Sequence, residues 1–300
     1  MTVSINKVSY VTAAEREAGQ RLDNFLIRHL KNVPKTHIYR LIRTGQVRIN
    51  QKRVRQDSRL EPGDIIRIPP FQIDQTVAAP KRPDLKLHAW IETAIMFEHA
   101  DFLILNKPAG ISVHAGSDTQ HGLIEILRAY RQDLKFLELV HRLDRATSGL
   151  LIIAKKPSSL KALHALLRAQ KIQKKYQVLV FGHWPKALNR IEAPIDGKAS
   201  LTTFQVLQSF KDTTLLLASL HTGRQHQIRI HTSKAGFPIV GDTKYGNFPK
   251  NRAFAKAFGT ARMFLQAQQL KLTWEGQIYQ FEEQNALCGE NLITALDSRD

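Results

Sequence analysis

The sequence predicts a β-rich α+β chain in two unequal parts, a small helix-and-hairpin unit followed by a larger domain built around an extended mixed sheet. Three observations carry this expectation. Residues 20–70 contain two short amphipathic segments followed by alternating, strand-like runs. FQIDQTVAAPKRPDLKL, Phe71 to Leu87, has no clear period and holds Pro80 and Pro83, which reads as a linker. From about Trp90 short apolar runs recur, several carrying β-branched residues and bounded by Gly, Pro or polar turns. The 300 residues suffice for one large domain or two unequal ones. The expected boundaries are an extension over 1–18, a small unit over 19–70, a linker over 71–89 and a large domain over 90–300.

Each element has its own warrant. RLDNFLIRHL places Leu22, Phe25, Leu26 and Leu30 on one helical face. In PKTHIYRLIRTG, Pro34 suits a first turn, Ile38, Leu41 and Ile42 face inward, and Gly45 ends the helix. VRINQKRVRQ alternates Val47 and Ile49 around a polar Asn50-Gln51-Lys52 turn, a hairpin signal. EPGD, Glu61 to Asp64, is a second turn, and DIIRIPP closes the small unit with a strand. In the large domain FLILNKP, GLLIIAKK, YQVLVFG, TTFQVL, TLLLASL and HQIRIHT read as strands. SSLKALHALLRAQ reads as a helix, with Leu160, Leu163, Leu166 and Leu167 on one face. FPKNRAFAKAFGTA gives no reading, and the tail after Ala286 is either a short polar helix or a frayed end.

Charge narrows the function. The net charge is +18, so the surface attracts polyanions, chiefly nucleic acid. Between Arg21 and Arg67 twelve Lys or Arg face four Asp or Glu. Lys35, Arg40, Arg43, Arg48, Lys52, Arg53 and Arg55 concentrate on the second helix and the hairpin, an arrangement suited to a phosphate backbone. The plainer alternative is a solvated basic face. No apolar run approaches a membrane span, and the N-terminus lacks the basic-then-apolar layout of a signal peptide. Cys288 is the single cysteine, so no intramolecular disulfide forms and a reducing cytoplasm is expected.

The stretch with most chemical content is HRLDRATSGLLIIAKK, His141 to Lys156. Asp144 stands between Arg142 and Arg145, just ahead of a buried strand. A divalent-metal site would recruit several oxygens, and hydrolysis by paired carboxylates needs a second acid. Only Glu138 lies near in sequence. Two readings stay open: an aspartate held ionised by arginine and able to act as a nucleophile, or a structural aspartate capping the Thr147-Ser148-Gly149 turn or forming an ion pair. His221, His226 and His231 are spaced five apart, which on a strand does not converge on one ion, so no metal is expected. TGRQHQ lacks the glycine pattern and Lys-Ser/Thr ending of a nucleotide cradle.

These motifs resemble known families. RLDNFLIRHL, PKTHIYRLIRTGQVRINQKRV and LEPGDIIRI together resemble the S-four-like RNA-binding domain, named after a ribosomal protein. HRLDRATSGLLIIAKK resembles the HRLDxxTSG signature of RluA-type pseudouridine synthases, with every fixed position present. NKPAGISVHAG (106–116), KKYQVLVFG (174–182), HTGRQHQIRIH (221–231) and FPIVGDTKYG (237–246) resemble further segments of that family, in order. The likeness runs from about Asp101 to Leu272 and is strongest to RluC-type members acting on large-subunit ribosomal RNA. GKASLTTFQVL, Gly197 to Leu207, departs from the more usual GKPAxTxF form.

The resemblance implies an α+β synthase domain with a mixed, mainly antiparallel sheet flanked by helices and loops. It implies isomerisation of uridine to pseudouridine in 23S ribosomal RNA or its assembly intermediates, with no cofactor and no metal. Carried over by position, Asp144 is the nucleophile, Arg229 pairs with it, and Tyr176 stacks on the base and assists removal of the C5 proton. Arg142 fills the space left by the flipped uridine, Ile228 lines the apolar wall, and Lys107 shapes the site or contacts RNA. His141 is placed with the substrate-binding residues. A cytoplasmic monomer is expected. The rival class is a non-catalytic RNA-binding or ribosome-assembly factor, which fits the charge but gives no reason for Asp144, Tyr176 and Arg229 to occur together.

Overall fold

The computed structural model describes residues 2–5, 7–30, 33–74, 89–115, 121–285 and 287–298, and the chain divides into two compact units, Met1–Lys81 and Arg82–Asp300. The smaller begins with strands β1 (Thr2–Ile5) and β2 (Ser9–Thr12). Helices α1 (Leu22–His29) and α2 (Lys35–Arg43) follow. Their apolar faces bury Leu22, Phe25, Leu26, Ile38, Leu41 and Ile42 in one core with Ile66 and Ile68. β3 (Arg48–Ile49) and β4 (Lys52–Arg53) form a hairpin closed by Asn50 and Gln51, both at positive φ, the twist a two-residue turn demands. β5 (Ile65–Ile68) and β6 (Phe71–Asp74) complete the unit.

The four-stranded sheet runs β2-β5-β3-β4, while β1 pairs with β6. Three segments therefore differ from the sequence reading, the first being Thr2–Ile5, set in the extension, which pairs with β6. Ser9–Thr12, set in the extension, pairs antiparallel with β5, because β5 has a second edge to satisfy and Val11 packs on the core. Phe71–Asp74, set in the linker, is a strand. The remainder of that linker, 75–88, lies outside the described residues.

The larger unit opens with α3 (Trp90–Ala94), β7 (Ile95–Glu98) and β8 (Phe102–Lys107). α4 (Leu123–Tyr130) leads to β9 (Glu138–Leu139) and β10 (Ser148–Ala154). α5 (Pro157–Arg168) connects to β11 (Ile172–Phe181), then β12 (Arg190–Glu192), β13 (Leu201–Ser209) and β14 (Thr213–Leu220). Helices α6 (Gln227–Lys234) and α7 (Phe248–Phe258) precede β15 (Leu265–Trp274), β16 (Gln277–Glu282) and α8 (Glu290–Asp297).

The sheet runs β12-β13-β14-β11-β15-β10-β8-β7, with β16 on β15 and β9 on β10. Its pairs are antiparallel except β10 with β15, which run parallel for only Ser148↔Gln266 and Gly149↔Ala267. The continuous apolar run of β10 reflects burial on both faces. Leu151 and Ile153 enter one core, and Leu150, Ile152 and Ala154 enter another.

One expected strand is a helix. HQIRIHT forms α6, entered through His226 at φ 54°, with Ile228, Arg229, His231 and Thr232 buried at helical spacing. Short runs mixing apolar and charged residues do not separate the two periods, and tertiary packing decides. FPKNRAFAKAF, left without a reading, is α7. It carries a helix-start signal in Asn247, whose side chain accepts from the Lys250 N–H, and a stop in left-handed Gly259. The tail is a helix, α8, burying Leu296 beside Phe254 and Leu179. Among the described residues no helix is long and apolar enough to cross a membrane.

Candidate active site

Asp144 sits in the loop between β9 and β10, where the Thr147 N–H donates to the Asp144 carbonyl at 3.0 Å to make a tight turn. Gly149 lets that loop enter β10. It lies at φ +105°, and a Cβ there would stand 2.3 Å from the Ala267 carbonyl oxygen. A side chain would prise apart the one parallel pair that fixes where Asp144 emerges.

The Asp144 carboxylate turns away from both neighbouring arginines. Arg229 Nη1, from α6, donates to Oδ2 at 3.2 Å, and His226 Nε2 stands 3.7 Å from the same oxygen. Arg145 instead donates through Nε to the Gly110 carbonyl at 2.9 Å, and Arg142 is exposed at the cleft. Asp144 is 16 % exposed and thus remains open to a ligand.

Arg229 is itself held from behind. Its Nε and Nη2 donate to Asp242 at 2.7 and 2.8 Å, a two-pronged grip on a fully buried carboxylate. Asp242 also accepts the Lys244 and Tyr245 N–H groups at 2.8 and 3.0 Å. Burial opposes ionisation of Asp242, but the Arg229 and backbone bonds outweigh it and keep the carboxyl below its usual range. The Tyr245 ring lies under the Arg229 guanidinium at 5.1 Å, and its hydroxyl is 3.0 Å from His226 Nδ1. Asp242 and Tyr245 were quoted in the FPIVGDTKYG segment but given no role, since spacing alone does not show that this aspartate faces the arginine thirteen residues earlier.

Lys107 is wholly buried at the end of β8, opposite Gly149 in the ladder. Its ammonium donates to the carbonyls of Pro108 (2.8 Å), Ile111 (3.0 Å) and Arg145 (3.3 Å). It therefore ties the NKPAG loop to the Asp144 loop. Burial pushes Lys107 down to about 7, with Asp144 working in the opposite direction.

Tyr176, on β11, and Ile228, on α6, are 5 % and 4 % exposed and line a pocket with Asp144, Leu220 and Leu265. Burial first, and the Asp144 charge second, push the Tyr176 phenol above its usual range, so it stays neutral. The pocket opens onto a broader cleft of ≈ 970 Å³ rimmed by His114, Arg142, Arg145, Lys244 and Arg262. Asp144 is the sole carboxylate among the described residues lining either space.

His141 is not brought to that cavity. Its Nε2 accepts the Ile152 N–H at 3.3 Å, and burial, with Lys174 nearby, pushes the ring down to about 3. The three histidines of the HTGRQHQIRIH segment go separate ways. His221 meets Thr203, His226 meets Tyr245 and Asp144, and His231 meets Thr202 and the Ala193 carbonyl. Among the described residues no three His, Cys, Asp or Glu side chains converge as metal ligands.

In the small unit Arg40, Arg43 and Arg53 line one exposed groove with Tyr39 and Arg55. Arg53 Nη2 donates to the Arg43 carbonyl at 2.8 Å, joining hairpin to helix. Arg48 and Lys52 are exposed outside that groove, and the Lys35 side chain lies outside the described residues.

Comparison with known proteins places this geometry in a family. Residues 101–234 match the RNA pseudouridylate synthase model, and 20–66 match the S4 domain. A protein named ribosomal large subunit pseudouridine synthase C from Vibrio cholerae is 44 % identical over 276 residues, covering 87 % of each chain. The protein of that name from Escherichia coli K12 is 43 % identical over 293 residues, covering 92 % of each. Human RNA pseudouridylate synthase domain containing 1, a solved structure, shares the fold at TM-score 0.56 and 24 % identity, over 68 % of this chain and 87 % of that one. With a lone carboxylate gripped by arginine and near-complete alignment to such relatives, the chain belongs to the pseudouridine synthase family.

Proposed function

We propose that this protein isomerises uridine to pseudouridine in 23S ribosomal RNA of the large subunit, acting as a cytoplasmic monomer with Asp144 as the nucleophile. The observation that carries the reading is the solitary ion-paired carboxylate in a cleft whose other described lining residues are basic, neutral polar or apolar. Pseudouridine formation breaks N1–C1′, rotates the uracil and joins C5 to C1′; C5 loses a proton and N1 gains one. Nothing enters or leaves overall, so one anion and a pocket that retains the detached base suffice. The target nucleotide must first leave its stack, at a cost of a few kcal/mol that basic contacts to the RNA offset.

Within this scheme Arg229 aims the Asp144 carboxylate, and Ile228, Leu220 and Leu265 form the apolar wall around the base. Neutral Tyr176 stacks on the uracil. A phenol held above its ordinary range stays protonated and offers no phenolate to take up a proton, which leaves Asp144, the carboxylate lining the pocket, to accept the C5 proton. Arg142 stands exposed where cleft and pocket meet and replaces the extruded base in its stack. Lys107 braces the loop, and Arg40, Arg43, Arg48, Lys52 and Arg53, with Lys35, hold surrounding RNA by phosphate contacts. The sole cysteine, Cys288, is buried and supports a chain that needs no disulfide.

The test is tritium release from large-subunit ribosomal RNA transcribed with [5-³H]uridine, comparing wild type with Asp144→Asn. Release by the wild type and none by the variant, with RNA binding retained by both, is expected. Absence of release from the wild type on naked RNA and on assembling subunits, with binding intact, would overturn the reading in favour of an RNA-binding assembly factor.

A further inference from the structure

Lys174 precedes Tyr176 by two residues on β11, with an irregularity in the pairing to β15 between Lys175 and Tyr176. Tyr176 points into the Asp144 pocket. Lys174 borders a second groove, lined with Gln173, Lys175, Thr203, His221 and Thr222 and containing no Asp or Glu. Leu220 lines both spaces, so the groove adjoins the base pocket through one side chain.

The surroundings of Lys174 are unusual for a lysine. It is partly withdrawn from solvent, and among the described residues its ammonium makes no hydrogen bond and no ion pair. Its Nζ lies 4.0 Å from where a Cβ on Gly223 would sit, against the loop leading into α6. Burial draws the ammonium below its usual range, and its titratable neighbour His141 is held neutral and supplies no counter-charge. A sheltered cation without a counter-charge is costly, and the groove offers it none. The deficit is one an incoming anion relieves.

An RNA strand that delivers one base to Tyr176 must leave the pocket on both sides. The broad cleft, with Arg142, Arg145 and Lys244, serves one flank. The Lys174 groove lies past a different wall of the pocket, beyond Leu220. We propose that Lys174 binds a backbone phosphodiester of the RNA strand next to the target nucleotide, making this groove a second exit track for the substrate. The inference rests on the synthase reading above.

Three variants test it: Lys174→Gln, Lys174→Arg and, as a control for lost surface charge, Lys161→Gln on the exposed face of α5. Binding of a short single-stranded RNA containing the target uridine is measured against salt concentration, alongside KM and kcat for tritium release. Lys174→Gln is expected to weaken binding roughly tenfold and to lower the slope of log affinity on log salt by about 0.7. KM should rise with kcat near wild type, Lys174→Arg should recover most of the affinity, and Lys161→Gln should do neither.

A second readout is specific to a phosphate contact. Single methylphosphonates are walked along the same RNA, and one position should cost affinity with wild type but not with Lys174→Gln. Removing a sheltered charge should leave the melting temperature unchanged or raised. Binding, salt slope and KM indistinguishable from the Lys161→Gln control, or a Lys174→Gln protein that only melts early, would overturn the assignment. The phosphate walk also separates the two failures. A wild type that binds but releases no tritium defeats the synthase reading, while a wild type that turns over with no Lys174-dependent position defeats this one.

Discussion

Replacing Asp242 with Asn tests whether Arg229 is aimed at Asp144 from behind. Asn keeps the volume of Asp and can still accept the Lys244 and Tyr245 N–H groups, but it cannot hold the two-pronged ion pair at 2.7 and 2.8 Å. Arg229 would remain mostly buried with one of its two counter-charges gone. Breaking one side of such a pair typically costs about 3–5 kcal/mol. The partial solvent access around Arg229 and the surviving Asp144 contact place the expectation at the lower end, about 3 kcal/mol. The guanidinium would also lose its fixed aim, and misplacement by about 1 Å costs roughly 100-fold in turnover. Urea unfolding reads the first effect and single-turnover tritium release the second. The stability term has a definite pH sense. Asp242 is held below its ordinary 3.8, so its contribution is complete above that value and is lost only as pH falls through the lower native pKa. The gap between wild type and Asp242→Asn should therefore be constant near neutrality and close under strong acid. An Asp242→Asn protein with wild-type turnover and an unchanged urea midpoint would refute the reasoning.

Two further predictions follow from the same geometry. His141 is neutral in the fold, pushed to about 3 from an ordinary 6.5, so the unfolded chain binds a proton the native state refuses. Stability from this site is complete above 6.5 and is lost as pH falls toward 3, with a slope of up to ~1.4 kcal/mol per pH unit; His141→Gln should show a flatter acid limb in urea titrations between those values, and an unchanged limb would contradict it. Arg142 is exposed, so Arg142→Ala should shift stability by less than about 0.5 kcal/mol while lowering kcat/KM at least about tenfold, the scale of one lost charge-assisted contact. Unaltered kinetics would remove Arg142 from the site.

Local sequence carried most of the fold because period and burial agree. α1, α2 and α5 show one apolar stripe each, and β8, β10 and β11 are apolar runs bounded by turns. The reading failed where tertiary contacts override period. α6 mixes Ile228 and Ile230 with Arg229 and His231, a pattern that alternates like a strand until His226 turns the chain into a helix. β2 was missed because its partner, β5, is more than fifty residues away in sequence. Motif resemblance singled out Asp144, Tyr176 and Arg229, which the structure gathers around one pocket. It could not reveal Asp242, because a buried aspartate after Gly241 reads as a turn residue until the fold sets it against Arg229. His141, adjacent to Asp144 in sequence, instead has its ring bonded to the β10 backbone.

The distances around Arg229 bear on how a single carboxylate could be both held and, as proposed for Asp144, reactive. A carboxylate gripped by two short charge-assisted bonds is stabilised as an anion and correspondingly poor as a nucleophile. Here the short bonds go to Asp242, which is fully buried, while Asp144 receives one longer contact of 3.2 Å and keeps 16 % exposure. Arg229 thus spends its stronger valence on being fixed and its weaker one on aiming. Lys107 performs the complementary task on the backbone, joining two carbonyls of the NKPAG loop to one of the Asp144 loop without bonding the carboxylate. The loop backbone is tied by these bonds, and Asp144 Oδ2, the oxygen proposed to react, is only lightly restrained. That division of labour lets an aspartate with no acidic partner serve a reaction in which nothing is added or removed.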